Sequence, residues 1–462
     1  MNSLQVNDTI CALATPTGTG AIAVVRVSGS RSLESVNSLF VAAGTKNLLE
    51  IAGHQAVFGR IKDGDQWLDE VLLTVFRAPR SFTGEDGVEI SCHGSPYIIQ
   101  RLLQLLHEQQ IRLAKPGEFT QRAFLNGRMD LSQAEAVADL IAAENQAAHR
   151  VALDQLRGGF SGKLKHLRQE LIDFAALVEL ELDFTEEDVE FADRSQLFSL
   201  LNRLEKEIER LSTSFATGQA IKEGIPVAIV GEPNVGKSTL LNALFQEEKA
   251  LVSDIAGTTR DSIEDTLVLD GLKFRFIDTA GIRETTDHVE QLGIARTFEK
   301  IRRAAMILYM VDLGMPLTGH VQALERIREE AGDRPVLIVL NKRDRFGSQE
   351  AEELLKAEGR LLVISAREEI GLHELREVLL EECRRHYRFQ EDVIVTNVRH
   401  QGELQAAGAA LQAVHRGLMD GVSGEFIAMD IRLALEHLGH ITGEIGTEEL
   451  LGSIFSRFCI GK

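Results

Sequence analysis

"IPVAIVGEPNVGKSTLLNALF", residues 225 to 245, decides how this chain must fold. It opens on a buried β-type run and closes on helical spacing, so the glycine-bounded segment between them is a strand-to-helix turn. In that context "GEPNVGKS", Gly231 to Ser238, is a phosphate-binding loop. The glycines let backbone N–H groups turn toward phosphate oxygens, Lys237 is expected to reach the β- and γ-phosphates, and the Ser238 hydroxyl to bind Mg²⁺. From this loop to about residue 380, strands alternate with helical segments, as in a doubly wound parallel sheet.

Three further motifs lie downstream in the order such a sheet requires. "DTAG" follows the run "LKFRFID" and offers Asp278 on the metal side and the Gly281 N–H to a γ-phosphate. "NKRD" follows "VLIVL". Its Asp344 can accept from guanine N1–H and the 2-amino group, a donor pair that adenine lacks. Asn341 is expected on the carbonyl side of the base and the Lys342 stem over the ring, while Ser365, Ala366 and Arg367 ("SAR") offer backbone N–H groups to guanine O6. "GTTRD", residues 257 to 261, falls where a mobile loop should close on metal and phosphate, which makes Thr259 a metal ligand. One position breaks the pattern. A glutamine straight after the glycine of "DTAG" ordinarily orients the attacking water; here it is Ile282, a hydrocarbon, so either hydrolysis is slow or another residue does that work.

With 462 residues the chain is too long for one core, and its 44% hydrophobic and 26% charged residues are ordinary for a soluble protein. Its longest strongly apolar run, "AAMILYMV", is far below the roughly 18 residues of a membrane span. The start lacks a basic region followed by an apolar one, so secretion is not expected. Cys11, Cys92, Cys383 and Cys459 lie far apart, which argues against disulfides and zinc and fits a reducing cytoplasm. A net charge of −20 with no Lys/Arg tract argues against an independent grip on nucleic acid; a basic partner or a local patch must supply it.

Residues 1–126 alternate short strands and turns with helical stretches, one starting at Ser95-Pro96, and read as an α/β domain. Residues 127–219 are Ala, Leu, Glu, Gln and Arg at helical spacing, with Ser132 and Glu135 as an expected capping box. Residues 220–383 are the P-loop unit and 384–462 are helical again. Helical sequence on both sides of a self-sufficient α/β unit suggests an insertion into a discontinuous helical domain.

"ATPTGTGAIAVVRVSG", "FTGEDGVEISCHG", "RAFLNGRMDLSQAEAVADLI", the P-loop, "GTTRD", "DTAGIRE" and "FCIGK" together resemble the MnmE (TrmE) family of tRNA modification GTPases, from near residue 8 to the last. The resemblance implies a multidomain α/β and all-α chain: an N-terminal tetrahydrofolate-binding domain that forms a homodimer, a discontinuous helical domain and an inserted Ras-like G domain. It implies an FAD-dependent partner subunit and attachment of an aminomethyl-type (carboxymethylaminomethyl) group to C5 of the wobble uridine, number 34 of certain tRNAs, from a folate one-carbon unit such as 5-formyl-tetrahydrofolate. The partner would make most of the tRNA contact. It implies G domains that hydrolyse GTP face to face around K⁺, held by Asn234, Ser253, Ile255 and Thr258. Glu290 would orient the water and, with Lys237, carry catalysis. The nucleotide would be bounded by Asn234, Val235, Gly236, Lys237, Ser238 and Thr239; by Ser253, Asp254, Ile255, Ala256, Gly257, Thr258 and Thr259; and by Asp278, Thr279, Ala280 and Gly281. Folate positions map onto Arg26, Glu89, Arg128 and Lys462. Cys459 is expected as a small buried hydrophobe with no catalytic role. Two other classes fit parts of the sequence: a switch in which GTP only recruits partners, and a folate enzyme using GTP only for assembly. A pure switch needs neither the N-terminal domain nor "CIGK".

Overall fold

The structure is a computed structural model that describes residues 8–44, 47–183, 194–251, 266–277, 298–315, 319–347, 349, 359–389, 393–445, 448–456 and 458–461. The chain divides into two compact units. One comprises Met1–Ile141, Asp154–Phe191 and Gly417–Lys462, the other Ala142–Leu153 and Ala192–Arg416.

The first unit is built on seven strands: β1 (Ile10–Leu13), β2 (Ile22–Ser28), β3 (Phe40–Ala42), β4 (Gln55–Asp63), β5 (Gln66–Phe76), β6 (Gly87–His93) and β7 (Arg112–Leu113). They lie in the order β3-β4-β5-β6-β2-β1-β7, antiparallel except where β7 runs alongside β1. Alternation does the work: Val71, Leu73 and Val75 of β5 and Ala23, Val25 and Val27 of β2 enter the core with Leu102 and Leu106 of the helix Pro96–Glu108. That helix starts where Ser95-Pro96 predicts, although the Ser95 side chain makes no capping bond. The helix Leu131–Ala142 departs from expectation. Its capping box is Asp130 with Gln133, not Ser132 with Glu135: the Asp130 carboxylate accepts from the Gln133 N–H at 3.0 Å and Gln133 Oε1 from the Asp130 N–H at 2.9 Å. The earlier start seats Leu131, fully buried, inside the helix. The helix Gly159–Asp183 packs on the helix Gly424–Thr442, burying Leu164, Leu167, Leu171 and Phe174 at three- and four-residue steps.

The second unit carries β8 (Ile225–Gly231), β9 (Thr266–Leu269), β10 (Leu272–Phe276), β11 (Met306–Asp312), β12 (Val336–Asn341) and β13 (Leu361–Val363), in the order β13-β12-β11-β8-β10-β9. All pair in parallel except β9 with β10. Because helices cover both faces, strands such as "MILYMV" read as unbroken apolar runs. Leu308 and Met310 pack into one core with the helices Lys237–Leu251 and Leu372–His386, and Ile307, Tyr309 and Val311 into another with His320–Ala331. The helix Arg194–Glu223 buries Leu201, Leu204, Ile208 and Leu211, with Ile208 against Gly408 of the helix Val398–Asp420. Helical segments from before and after the sheet therefore pack on each other within this unit. Among the described residues no helix is long and apolar enough to cross a membrane.

Candidate guanine-nucleotide site

The order of the six-stranded sheet puts its switch point beside β8, the strand that ends in the P-loop, and ligands of such sheets bind at the carboxyl ends of the strands. Three loops leave that edge: Gly231–Lys237 after β8, Lys342–Asp344 after β12, and Ser365–Arg367 shortly after β13.

The P-loop has the backbone needed for an anion cradle. Asn234 and Gly236 have φ of 62° and 103°, and a Cβ on Gly236 would lie 2.3 Å from Asn341 Nδ2, so only glycine fits. Lys237 opens the helix Lys237–Leu251 and donates to the carbonyls of Gly231 and Glu232, both at 2.8 Å. Burial, and then the nearby Lys300, pull its pKa down, a penalty that phosphate oxygens would relieve. Ser238 stands in the first turn of the same helix, where a hydroxyl suits a hard cation such as Mg²⁺. Val235 is buried, and Thr239 follows on the exposed side of the helix start.

The base-reading loops are locked together. The Asn341 amide donates to the Val235 carbonyl at 2.8 Å and accepts from the Ala366 N–H at 3.0 Å. Asn341 thus ties the P-loop to the "SAR" loop and keeps a second amide N–H for the base, while the Ala366 N–H is engaged by Asn341. The residue is 3% exposed, which leaves those two backbone groups as its natural partners. Asp344 is fixed in place, its Oδ1 accepting from the buried Ser365 hydroxyl at 2.6 Å. That bond first, and the Arg345 and Arg367 cations among the weaker effects, keep the carboxyl below its usual range against the pull of burial. Lys342, at φ 71°, is pinned through its ammonium to Asp312 at the end of β11. Sequence reasoning passed over Asp312, although an acid closing an apolar strand of a doubly wound sheet was a usable signal. Ser253, Asp254, Ile255, Ala256, Gly257, Thr258, Thr259, Asp278, Thr279, Ala280, Gly281, Ile282 and Glu290 lie outside the described residues.

In the first unit Arg26 and Glu89 sit opposite each other on β2 and β6. The Arg26 Nε and Nη2 both donate to Glu89 Oε1, at 2.9 and 2.8 Å, and its Nη1 reaches the Gly461 carbonyl at 3.4 Å. The end of the chain is thereby brought to the sheet. Gly461, φ 94°, lies so close that a Cβ would be 2.3 Å from the Leu13 carbonyl. Arg128 packs on Gly84 beside Thr83, and Lys462 is outside the described residues. A guanidinium with a carboxylate suits the N–H donors and carboxylates of a folate, but the adjoining cavity, lined by Arg26, Phe82 and Glu89, is only about 60 Å³. Cys459 is exposed, contrary to expectation, and its carbonyl accepts from the Gly117 N–H at 3.3 Å.

Residues 9–128 match the family described as "GTP-binding protein TrmE N-terminus", and residues 131–459 match "MnmE helical domain". The tRNA modification GTPase MnmE of Christiangramia forsetii is 52% identical over 99% of this chain and 100% of that protein. That of Flavobacterium johnsoniae is 53% identical over 98% and 99%. The chain belongs to the MnmE family. MnmE of Bacteroides fragilis is 49% identical over 98% of this chain and 99% of its own length. MnmE membership and the strand order above make this a GTPase, with an N-terminal TrmE domain, helical segments and a G domain.

Proposed function

We propose that this protein is the GTP-hydrolysing subunit of a tRNA-modifying complex that installs a carboxymethylaminomethyl-type group at C5 of uridine 34. The observation that carries the nucleotide part is the Asn341 bridge, which holds the phosphate cradle and the guanine-reading Asp344–Ser365 pair at one sheet edge. Lys237 exchanges its two loop carbonyls for phosphate oxygens. Ser238 and Thr259, with Asp278 beside them, would hold Mg²⁺, which would supply positive charge against the phosphates. Glu290 positions water in place of the side chain missing at Ile282, and Asn234, with oxygens of Ser253, Ile255 and Thr258, holds K⁺ when two G domains meet.

The folate part rests on Arg26, Glu89, Arg128 and Lys462. The Arg26 contact with Gly461 supports it by placing the residue before Lys462 at the Arg26–Glu89 pair. Homodimerisation through the N-terminal unit is supported by an apolar patch: Phe58 and Leu72 face each other across β4 and β5 and are 52% and 44% exposed, with Trp67 51% exposed on the same ribbon. The flavin chemistry belongs to an FAD-dependent partner subunit, which also makes most of the tRNA contact. Analysis of wobble uridines in tRNA from a strain deleted for this gene tests the proposal. Loss of the C5 side group, restored by the gene, is expected; unchanged modification would overturn it.

A further inference from the structure

The nucleotide-binding unit holds two adjoining cavities, neither of them lined by a P-loop residue. The larger, about 900 Å³, is lined by Arg150, Arg210, Arg384 and Arg388. The second, about 540 Å³, shares Arg210 and Arg388 and adds Lys206. Helices Gln146–Leu156, Arg194–Glu223 and Leu372–His386, with the residues just after the last, supply these groups. Two carboxylates, Asp270 and Glu209, stand among the five cations, so the lining keeps a positive surplus in a chain whose net charge is −20.

Two of the five cations stand in ion pairs with carboxylates, and a guanidinium in such a pair keeps N–H donors for a second anion. Arg384 pairs with Asp270, and Arg150 donates through one nitrogen to the Phe389 carbonyl at 3.1 Å. A guanidinium carries five donors, so each bond fixes the fork and leaves others. Arg210 meets Glu207 at 3.3 Å, and its buried Nε has no hydrogen-bond partner. Tyr387 and Phe389, half-buried against the core, also line the larger cavity, with ring centroids 5.8 Å apart.

We infer that this cleft binds the phosphate backbone of an RNA strand. Guanidinium forks match phosphate bidentately, and aromatic faces beside them take bases. The basic lining continues from one cavity into the next, which suits a run of phosphates better than one small anion. An acidic polypeptide would use the charges and leave the rings idle. The inference rests on the proposed work on tRNA and assigns part of that contact to this chain.

The test uses the full-length protein and a fluorescently labelled tRNA transcript, titrated by anisotropy at several salt concentrations. Replacing both Arg150→Ala and Arg384→Ala should weaken binding about tenfold and reduce the slope of log affinity against log salt by about 1.5 to 2, the loss of two phosphate contacts. The double lysine variant should keep most of the affinity. Arg326→Ala, on the exposed side of the helix His320–Ala331, should change neither quantity. GTP turnover without RNA should be unchanged in all variants, showing that they fold. Unaltered affinity and slope in the double alanine protein, or polyglutamate displacing the transcript as well as unlabelled RNA does, would overturn the inference. The wobble-uridine test reads separately: modification that needs the gene, with a double variant that binds like wild type, would show the cleft assignment alone to be wrong.

Discussion

Asn341 and Asp344 stand three residues apart in one loop and do different jobs. Asn341 bonds across 106 residues to Val235 and across 25 to Ala366, so it is a brace. Truncating it strands a buried carbonyl and a buried N–H, and Asn341→Ala should cost about 1–3 kcal/mol of stability and weaken nucleotide binding. Asp344→Asn should act on specificity instead. The amide presents a donor where guanine needs two acceptors, so GTP affinity should fall about a hundredfold or more while xanthosine triphosphate, with a carbonyl at that position, gains. Competition binding with the two nucleotides checks both, and an unaltered preference for GTP would refute base reading by Asp344. The motif residues were legible because a phosphate loop and a base-reading loop are short local stretches. The Asn341 brace was not, since its partners are set by strand order.

At the scale of elements, the helix Glu118–Leu125 hangs on a charge network beneath β1 and β7. Arg122, 2% exposed, donates to Asp8, Glu85 and Glu118, and Arg112 to Asp8 and Glu118. Burial alone would raise Glu118, but bonds from Arg112, the Lys115 N–H and Arg122 outweigh it and leave the carboxyl at about 2 against an ordinary 4.5. Its folded pKa is depressed, so its contribution is complete above about pH 4.5 and is lost as pH falls toward about 2. Urea unfolding of the protein should therefore show stability rising with pH across that window, and Glu118→Gln should flatten the rise. A wild-type profile that stays flat there would contradict the network's role. Removing the arginine is harsher: Arg122→Met takes the buried partner from three carboxylates, of which Asp8 and Glu118 keep Arg112, and should cost about 3–5 kcal/mol, read as a lower urea midpoint at neutral pH. Sequence spacing showed helices here but missed how one begins. "DLSQAE" holds two overlapping boxes, and the burial of Leu131, a tertiary fact, selects the earlier.

Across the whole molecule, the sequence laid out strands, helices and an inserted sheet because hydrophobic period survives without knowledge of contacts. The basic cleft was invisible in it. Its arginines come from positions 150, 210, 384 and 388, so no Lys/Arg tract marked the local patch that a chain of net charge −20 would need to touch nucleic acid. Thiol chemistry separates buried from exposed in the same way: burial lifts Cys11 and Cys383 to about 12 and Cys92 to about 11, while Cys459 is exposed. A maleimide at neutral pH should label the native protein once, at Cys459, and Cys459→Ser should abolish labelling; labelling of the buried three at a comparable rate would contradict their packing.

In the proposed mechanism this GTPase hydrolyses GTP without the side chain missing at Ile282, by bringing two G domains together around K⁺ with Glu290 on the water. Single-turnover hydrolysis in matched K⁺ and Na⁺ buffers tests it most directly. Oxygens spaced for a large ion cannot all close on a small one, so turnover should be much faster in K⁺. Glu290→Ala should lose about a hundredfold in rate with nucleotide affinity retained. Equal wild-type rates in the two salts would contradict the account and leave Ile282 as the mark of a slow switch.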